Sequence, residues 1–524
     1  MQPMSTRTIG QLKISDSMVR IANYERNLVP QEAGWQHLTA SSQTIRDVSR
    51  YLETLCRKGL DLAGELEVAA RKSGHGVRPI AYWGIKESIL YDALTEAALA
   101  KLPALDRTVE RYIDFVLAPA KYAIEEQTKD RSNEADKLIF SIYDSKIKYV
   151  IKADITAFYQ FIDHSILADE LISQGADYEV VSHLVDLLKE VTGRPIGLPQ
   201  LSEASDRLSE VYIDQVERSL LRQGFATWRF NDDFRIACGD FTEAIRAMEA
   251  LDSAARAVGL ALNEYKSFTY RLKNYILDAY SLKSIPDNGI ISPNDIDVIV
   301  GDYHEDFSED EEAALRLLRS AQNNSPLEDG IDLKHASRSD ERTIRRALDS
   351  LAKHNNVNAF DSLLPIISFM PSLTPAVVRY VVYIANNVPD PNTFTRAATA
   401  LDEIIEKVSL NDWQHVWVLD AFRNLNILGD EGSNSYAARL KYVEDHFHRG
   451  DGILRATAFH VLASADRLSV VEAITTAHSA PEAVRLAYLS GARDRIPTQP
   501  SVNEARSIQG LRDNDAITKA MLII

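Results

Sequence analysis

Apolar and polar positions along this chain follow two rhythms, and the change between them divides it. Up to about residue 65 the pattern is helical and polar, clearest in the amphipathic "SSQTIRDVSRYLETLCRKG". A glycine-punctuated basic loop, "RKSGHGVRPIAYW", precedes a helix through "KESILYDALTEAALAKL". From residue 147 the period shortens to two, and "IKYVIKADI" alternates as a strand does. Helical stretches lead to "TGRPIGLPQLSEASDRLSEVYIDQVERSLL", a Gly/Pro loop opening into a long helix. A hairpin is predicted over "RFNDDFRIACG", where Trp228 and Phe230, then Phe234, Ile236 and Cys238, flank two adjacent aspartates. The helix "DFTEAIRAMEALDSAARAVG" and the strand-like "ALNEYKSFTYR" complete an α+β unit, residues 1–285.

Residues 286–524 read differently. Past an acidic stretch the period is almost purely helical, with Ile344, Ala347, Leu348 and Leu351 at i, i+3, i+4, i+7. "TPAVVRYVVYIANNVP" suggests Thr374 as a helix N-cap with Pro375 at the first helical position. "DGILRATAFHVLASADRL" and "APEAVRLAYLSGARDRIP" share length, apolar rhythm and breaker residues. Stacked helical pairs, a HEAT-like repeat domain, are expected.

Composition narrows the class. With 524 residues, 45% hydrophobic and 26% charged, this is an ordinary globular chain long enough for several cores. Two cysteines, Cys56 and Cys238, are too few for a disulfide framework and point to a reducing compartment. The first residues lack the apolar centre of a signal peptide, and "DSLLPIISFM" is interrupted by Pro365. A cytoplasmic protein with no membrane partner is expected. The net charge of −18 opposes a general nucleic-acid coat but not a local basic channel. Residues 302–312 carry seven acids and no Lys or Arg, which reads as a solvated linker or helix start.

The aspartate doublet, Asp232 and Asp233, gains meaning from a second carboxylate. Asp154 ends the alternating strand roughly 80 residues earlier, and a strand-terminal aspartate and a hairpin-tip pair can converge on adjacent strands. Three such carboxylates repel unless divalent cations lie between them. Mg²⁺ prefers hard oxygen ligands, and a pair of such ions suits in-line phosphoryl transfer.

Four blocks now resemble the reverse transcriptases. "KADITAFYQFIDH" is similar to the first palm motif and "GRPIGLPQLSEASDRL" to the second. "FNDD" is similar to the [YF]-x-D-D box, and "GLALNEYKSFTYR" to the following Lys-bearing motif. They stand in the family's order over residues 149–272. The resemblance implies that Asp154 and Asp232 ligate Mg²⁺ (or Mn²⁺), with Asp233 in support and the Ile155 carbonyl completing one shell. It makes Tyr159 the wall that excludes a 2′-hydroxyl, or else a core aromatic. Lys72 and Arg78 would grip the triphosphate of a dNTP, or form a solvated basic turn. Gly197 would lie against the substrate. Lys266 would protonate pyrophosphate, or be an ordinary surface lysine. His164 reads as structural.

Two departures matter: Ile196 stands where templated relatives carry Gln, and a helical array stands where they carry a thumb. Both resemble the abortive-infection reverse transcriptases of the AbiK and prophage-encoded type, within the defence-associated group. That branch implies anti-phage defence and untemplated, tyrosine-primed DNA synthesis. Its single-stranded product stays covalently attached or channel-bound, on a homo-oligomer that answers a phage-derived trigger. Tyr24 and Tyr51 are candidate primers among 21 tyrosines. The rival readings are an RNA-templated enzyme with a partner RNA, and an inactive polymerase serving as a helical scaffold. Arg439 and His446 also fit the R-x4-6-H spacing of HEPN ribonucleases, although Leu440 replaces the expected polar residue.

Overall fold

In a computed structural model the protein is described over residues 1–24, 27–72, 76–129, 140–141, 144–279, 290–291, 338–450, 452–513 and 515–522, and at 312, 314, 315, 317 and 318. The expected boundary at 285 and nearly all of the acidic stretch 302–312 lie outside these residues.

The architecture is mixed α and β with helices predominating, as the two rhythms predicted. Six strands concern the site. β1 (Leu66–Arg71) and β2 (Val77–Tyr82) form an antiparallel hairpin of their own. β3 (Tyr149–Asp154), β4 (Ala226–Phe230), β5 (Asp233–Cys238) and β6 (Phe268–Arg271) form a four-stranded antiparallel sheet in the order β4-β5-β3-β6. The first hairpin corrects the expectation of a basic loop. Residues 66–71 and 77–82 of that stretch are strand, and Val68, Ala70, Ile80 and Tyr82 alternate inward and are buried.

Each face of the four-stranded sheet has its own core. Ile151, Ala153, Phe234, Ile236 and Cys238 face helices including Tyr178–Thr192, Glu203–Arg222 and Phe241–Ala257. Val150 and Ala237 point the other way, against Leu117, Ala120 and Ala123 of helix Val109–Thr128. Asp154 and Asp233 are register partners on this second face.

From residue 338 onward the described chain is helical. Helices Arg338–Lys353, Thr374–Asn387, Asp412–Asn424, Gly452–Ser464 and Arg485–Arg495 pack successively on one another, with intervening helices outside them, the stacking expected of repeated pairs. Their apolar faces share one core with Met18, Trp35, Leu52 and the β1–β2 hairpin. The hairpin is further tied down where Asn411 Nδ2 donates to the Ala69 carbonyl at 2.8 Å. Thr374 is not an N-cap: a 3-10 turn, Pro371–Leu373, runs directly into its helix, so Thr374 is its first residue. Its buried hydroxyl donates back to the Pro371 carbonyl at 2.7 Å.

Candidate functional site

Backbone pairing assembles the site. β4 and β5 join through Asn231 and Asp232, with Phe230 opposite Asp233. Asn231 takes φ +55°, a left-handed conformation that asparagine tolerates better than most residues. The Ile155 N–H donates to the Asp232 carbonyl at 3.2 Å, fixing the hairpin tip against the end of β3. Residues 261–263 lie along the same end: the Thr156 N–H donates to the Ala261 carbonyl at 2.8 Å, and the Asn263 N–H to the Asp154 carbonyl at 2.7 Å. The loop bearing Gly197 closes the other side. Its N–H donates to the Ile162 carbonyl at 2.8 Å, and the Leu198 N–H to the Tyr159 carbonyl at 2.8 Å. Gly197 sits at φ +98°, and a Cβ there would lie 3.4 Å from the Gln160 carbonyl. Positive φ at Ala157, Leu201 and Asn231 places backbone strain in three of the converging segments.

The carboxylates are crowded. Asp154 is buried; its Oδ1 accepts from Lys266 Nζ at 2.8 Å and its Oδ2 from Asn263 Nδ2 at 3.1 Å. Burial, then the charges of Asp154 and Asp233, push the Asp232 carboxyl up to about 6. Asp233 is also raised by burial, opposed by the Arg235 guanidinium at 3.7 Å. Arg235 is itself buried and lies 4.8 Å from the centre of the Phe115 ring. Among the described residues, no three His, Cys, Asp or Glu side chains are gathered around a point as metal ligands. Asp154 instead faces the Lys266 ammonium. The donor types still suit a hard divalent cation: Asp154 and Asp233 are register partners, Asp232 adjoins them, and their mutual charge helps hold the Asp232 carboxyl above its ordinary range.

A second network adjoins the first. The Tyr159 hydroxyl donates to Asp206 Oδ1 at 2.6 Å and accepts from Arg107 Nη1 at 3.2 Å. Arg107 pairs with Asp206 at 2.9 Å and donates through Nη2 to Asn231 Oδ1 at 2.9 Å. The Tyr24 hydroxyl donates to Asp206 Oδ2 at 3.3 Å. Arg107, Asn231, Phe230 and Arg229 line a cavity of about 450 Å³ beside the aspartate turn.

The structure therefore brings together Asp154, Ile155, Tyr159, Gly197, Asp232, Asp233 and Lys266. Lys72 and Arg78 belong to the separate β1–β2 hairpin, Lys72 exposed and Arg78 half-buried opposite Ala70. His164 is structural: its buried Nε2 bonds the Gly197 carbonyl at 2.7 Å. Sequence reasoning missed Asn263, Arg107, Asp206 and Asn231. Asn263 and Asn231 lie inside segments already singled out; Arg107 lies in none of them. Arg439 is buried and spans both oxygens of Asp402 at 2.7 and 2.8 Å, while His446 Nδ1 donates to the Tyr442 carbonyl at 2.7 Å. Both groups have structural work within the helical array.

Among the described residues, no helix is long and apolar enough to cross a membrane. No family model and no curated protein sequence matches the chain. Among solved structures, it is similar to telomerase from Candida albicans in complex with the TWJ fragment of telomeric RNA. The identity is 11% and the TM-score 0.31, over 74% of this chain and 66% of that chain. So slight a likeness assigns neither fold nor function.

Proposed function

We propose that the chain is a nucleotidyltransferase of reverse-transcriptase type, acting on dNTPs. The carrying observation is the pairing of Asp154 with Asp233 across β3 and β5, with Asp232 in the adjoining turn and Lys266 on Asp154. Asp154, Asp232, Asp233 and the Ile155 carbonyl would hold Mg²⁺, or Mn²⁺, which supplies charge neutralisation for in-line phosphoryl transfer. A hydroxyl oxygen gives up its proton to water and bonds to the α-phosphorus, the bond from the α-phosphorus to the bridging oxygen breaks, and pyrophosphate leaves. Lys266 is the group on hand to donate a proton to it. Tyr159 walls the sugar, Gly197 allows close approach, and Lys72 and Arg78 meet the triphosphate from the hairpin.

The finer reading is untemplated, tyrosine-primed synthesis in anti-phage abortive infection, by a homo-oligomer in the cytoplasm that answers a phage-derived trigger. Its supports are Ile196 in place of Gln and a helical array after residue 338 in place of a thumb. Tyr24 is the better placed of the two candidate primers. Its hydroxyl joins the Tyr159–Asp206 network, whereas Tyr51 packs against the core shared with the helical array. The test combines purified protein, Mg²⁺ and labelled dNTPs without nucleic acid, then denaturing gels with and without protease. Label that travels with the polypeptide and is lost in Tyr24→Phe supports this reading. Label that appears only after RNA and a primer are supplied makes the enzyme templated.

A further inference from the structure

Packing alone does not hold the Tyr159 ring. Its hydroxyl is gripped from two elements distant in sequence: Asp206 on helix Glu203–Arg222, at 2.6 Å, and Arg107 just before helix Val109–Thr128, at 3.2 Å. The same guanidinium reaches Asn231, in the aspartate turn, at 2.9 Å. Resting on the polymerase reading, we propose that Arg107 and Asp206 are positioning residues. They lock the Tyr159 ring as the wall that discriminates between deoxyribose and ribose, and they register that wall against the aspartate turn.

The chemistry favours arginine for this task. Its planar fork carries Nη1 and Nη2 in fixed relation, so one group can hold the phenol and the turn together, which a lysine's single ammonium does not do. An aromatic wall rejects an added hydroxyl only as far as it stays in place. Pockets that reject a hydroxyl by shape alone reach about 10²-fold, and a ring free to rock about its two side-chain torsions gives up part of that. Asp206 also carries the Tyr24 hydroxyl at 3.3 Å, so substituting it disturbs two functions at once. Tyr159→Phe and Asn231→Ala divide the clamp more cleanly. The first removes only the gripped hydroxyl, and the second the arm to the turn, adding strain at φ +55° that falls on both sugars alike.

The experiment measures kcat/KM for dATP and for ATP, on the full chain with Mg²⁺, in the wild type and in Tyr159→Phe, Asn231→Ala and Arg107→Ala. The wild type is expected to prefer dATP. Tyr159→Phe should lower that preference about tenfold, part of the roughly 10²-fold a fixed wall supplies. Asn231→Ala should slow both sugars alike and keep the preference, whereas Arg107→Ala should do both. If Arg107→Ala does not fold, the other two variants decide. A polymerising wild type whose preference survives in Tyr159→Phe overturns the clamp and leaves the polymerase standing. A wild type that incorporates neither sugar, both without nucleic acid and with RNA and a primer supplied, overturns the polymerase, and the clamp with it.

Discussion

Replacing Asp232 by Asn should stabilise the metal-free protein, and by an amount that grows with pH. The Asp232 carboxyl is held near 6 against an ordinary 3.8. At about 1.36 kcal/mol per pH unit this is about 3 kcal/mol of penalty on the charged form. The side chain keeps some contact with water, so about 2 kcal/mol is the working figure. The sign follows from proton binding. Between the two values the folded chain holds a proton that the unfolded chain has released. The neutral acid therefore costs little below about pH 4, and stability is lost as pH rises through about 6. Asparagine mimics the neutral acid at every pH. Thermal unfolding of both proteins at pH 4 and pH 7.5, in EDTA, should show near parity at the lower pH and a higher Tm for Asp232→Asn, by about 2 °C, at the upper. Added Mg²⁺ should then raise the Tm of the wild type more than that of the variant. A difference that does not change with pH, or a wild type more stable at pH 7.5, would refute the crowding of these carboxylates.

Other substitutions probe the surroundings. Lys266→Ala strips a 2.8 Å ammonium from buried Asp154, so the metal-free Tm should fall by the equivalent of about 1–2 kcal/mol, partly restored by Mg²⁺. Gly197→Ala forces a side chain to φ +98° and towards the Gln160 carbonyl; denaturant titration should show a loss of about 1–2 kcal/mol. Arg439→Ala leaves Asp402 without its bidentate partner, and calorimetry should show about 3–5 kcal/mol lost. Nucleotide incorporation, assayed well below the melting temperature, should persist in that variant.

Much of the sheet was legible because its residues obey a local rule. "IKYVIKADI" and "RFNDDFRIACG" alternate, and the alternation places Ile151, Ala153, Phe234 and Ile236 on one face and both Asp154 and Asp233 on the other. The β1–β2 hairpin was not, because its inward residues include Ala70, a weak apolar signal, and "RKSGHG" dominates the eye. Thr374 shows the same limit on a smaller scale: nothing local announces that a 3-10 turn will run into its helix. At the site, Asp154, Asp232 and Asp233 could each be named from a motif. Arg107 could not. Its partners Tyr159, Asp206 and Asn231 lie far along the chain, and only the folded arrangement gathers them around one guanidinium.

The most direct test of the central claim is side-by-side incorporation of labelled dNTP into acid-insoluble product by the wild type, Asp154→Asn and Asp232→Asn, with Mg²⁺ or with EDTA. The wild type should incorporate label only with Mg²⁺, and each variant should lose at least about 10²-fold, the scale of a group that acts in the transition state. Incorporation by the variants at the wild-type rate, or none by the wild type under any nucleotide or nucleic-acid supply, would contradict the assignment of these aspartates to phosphoryl transfer.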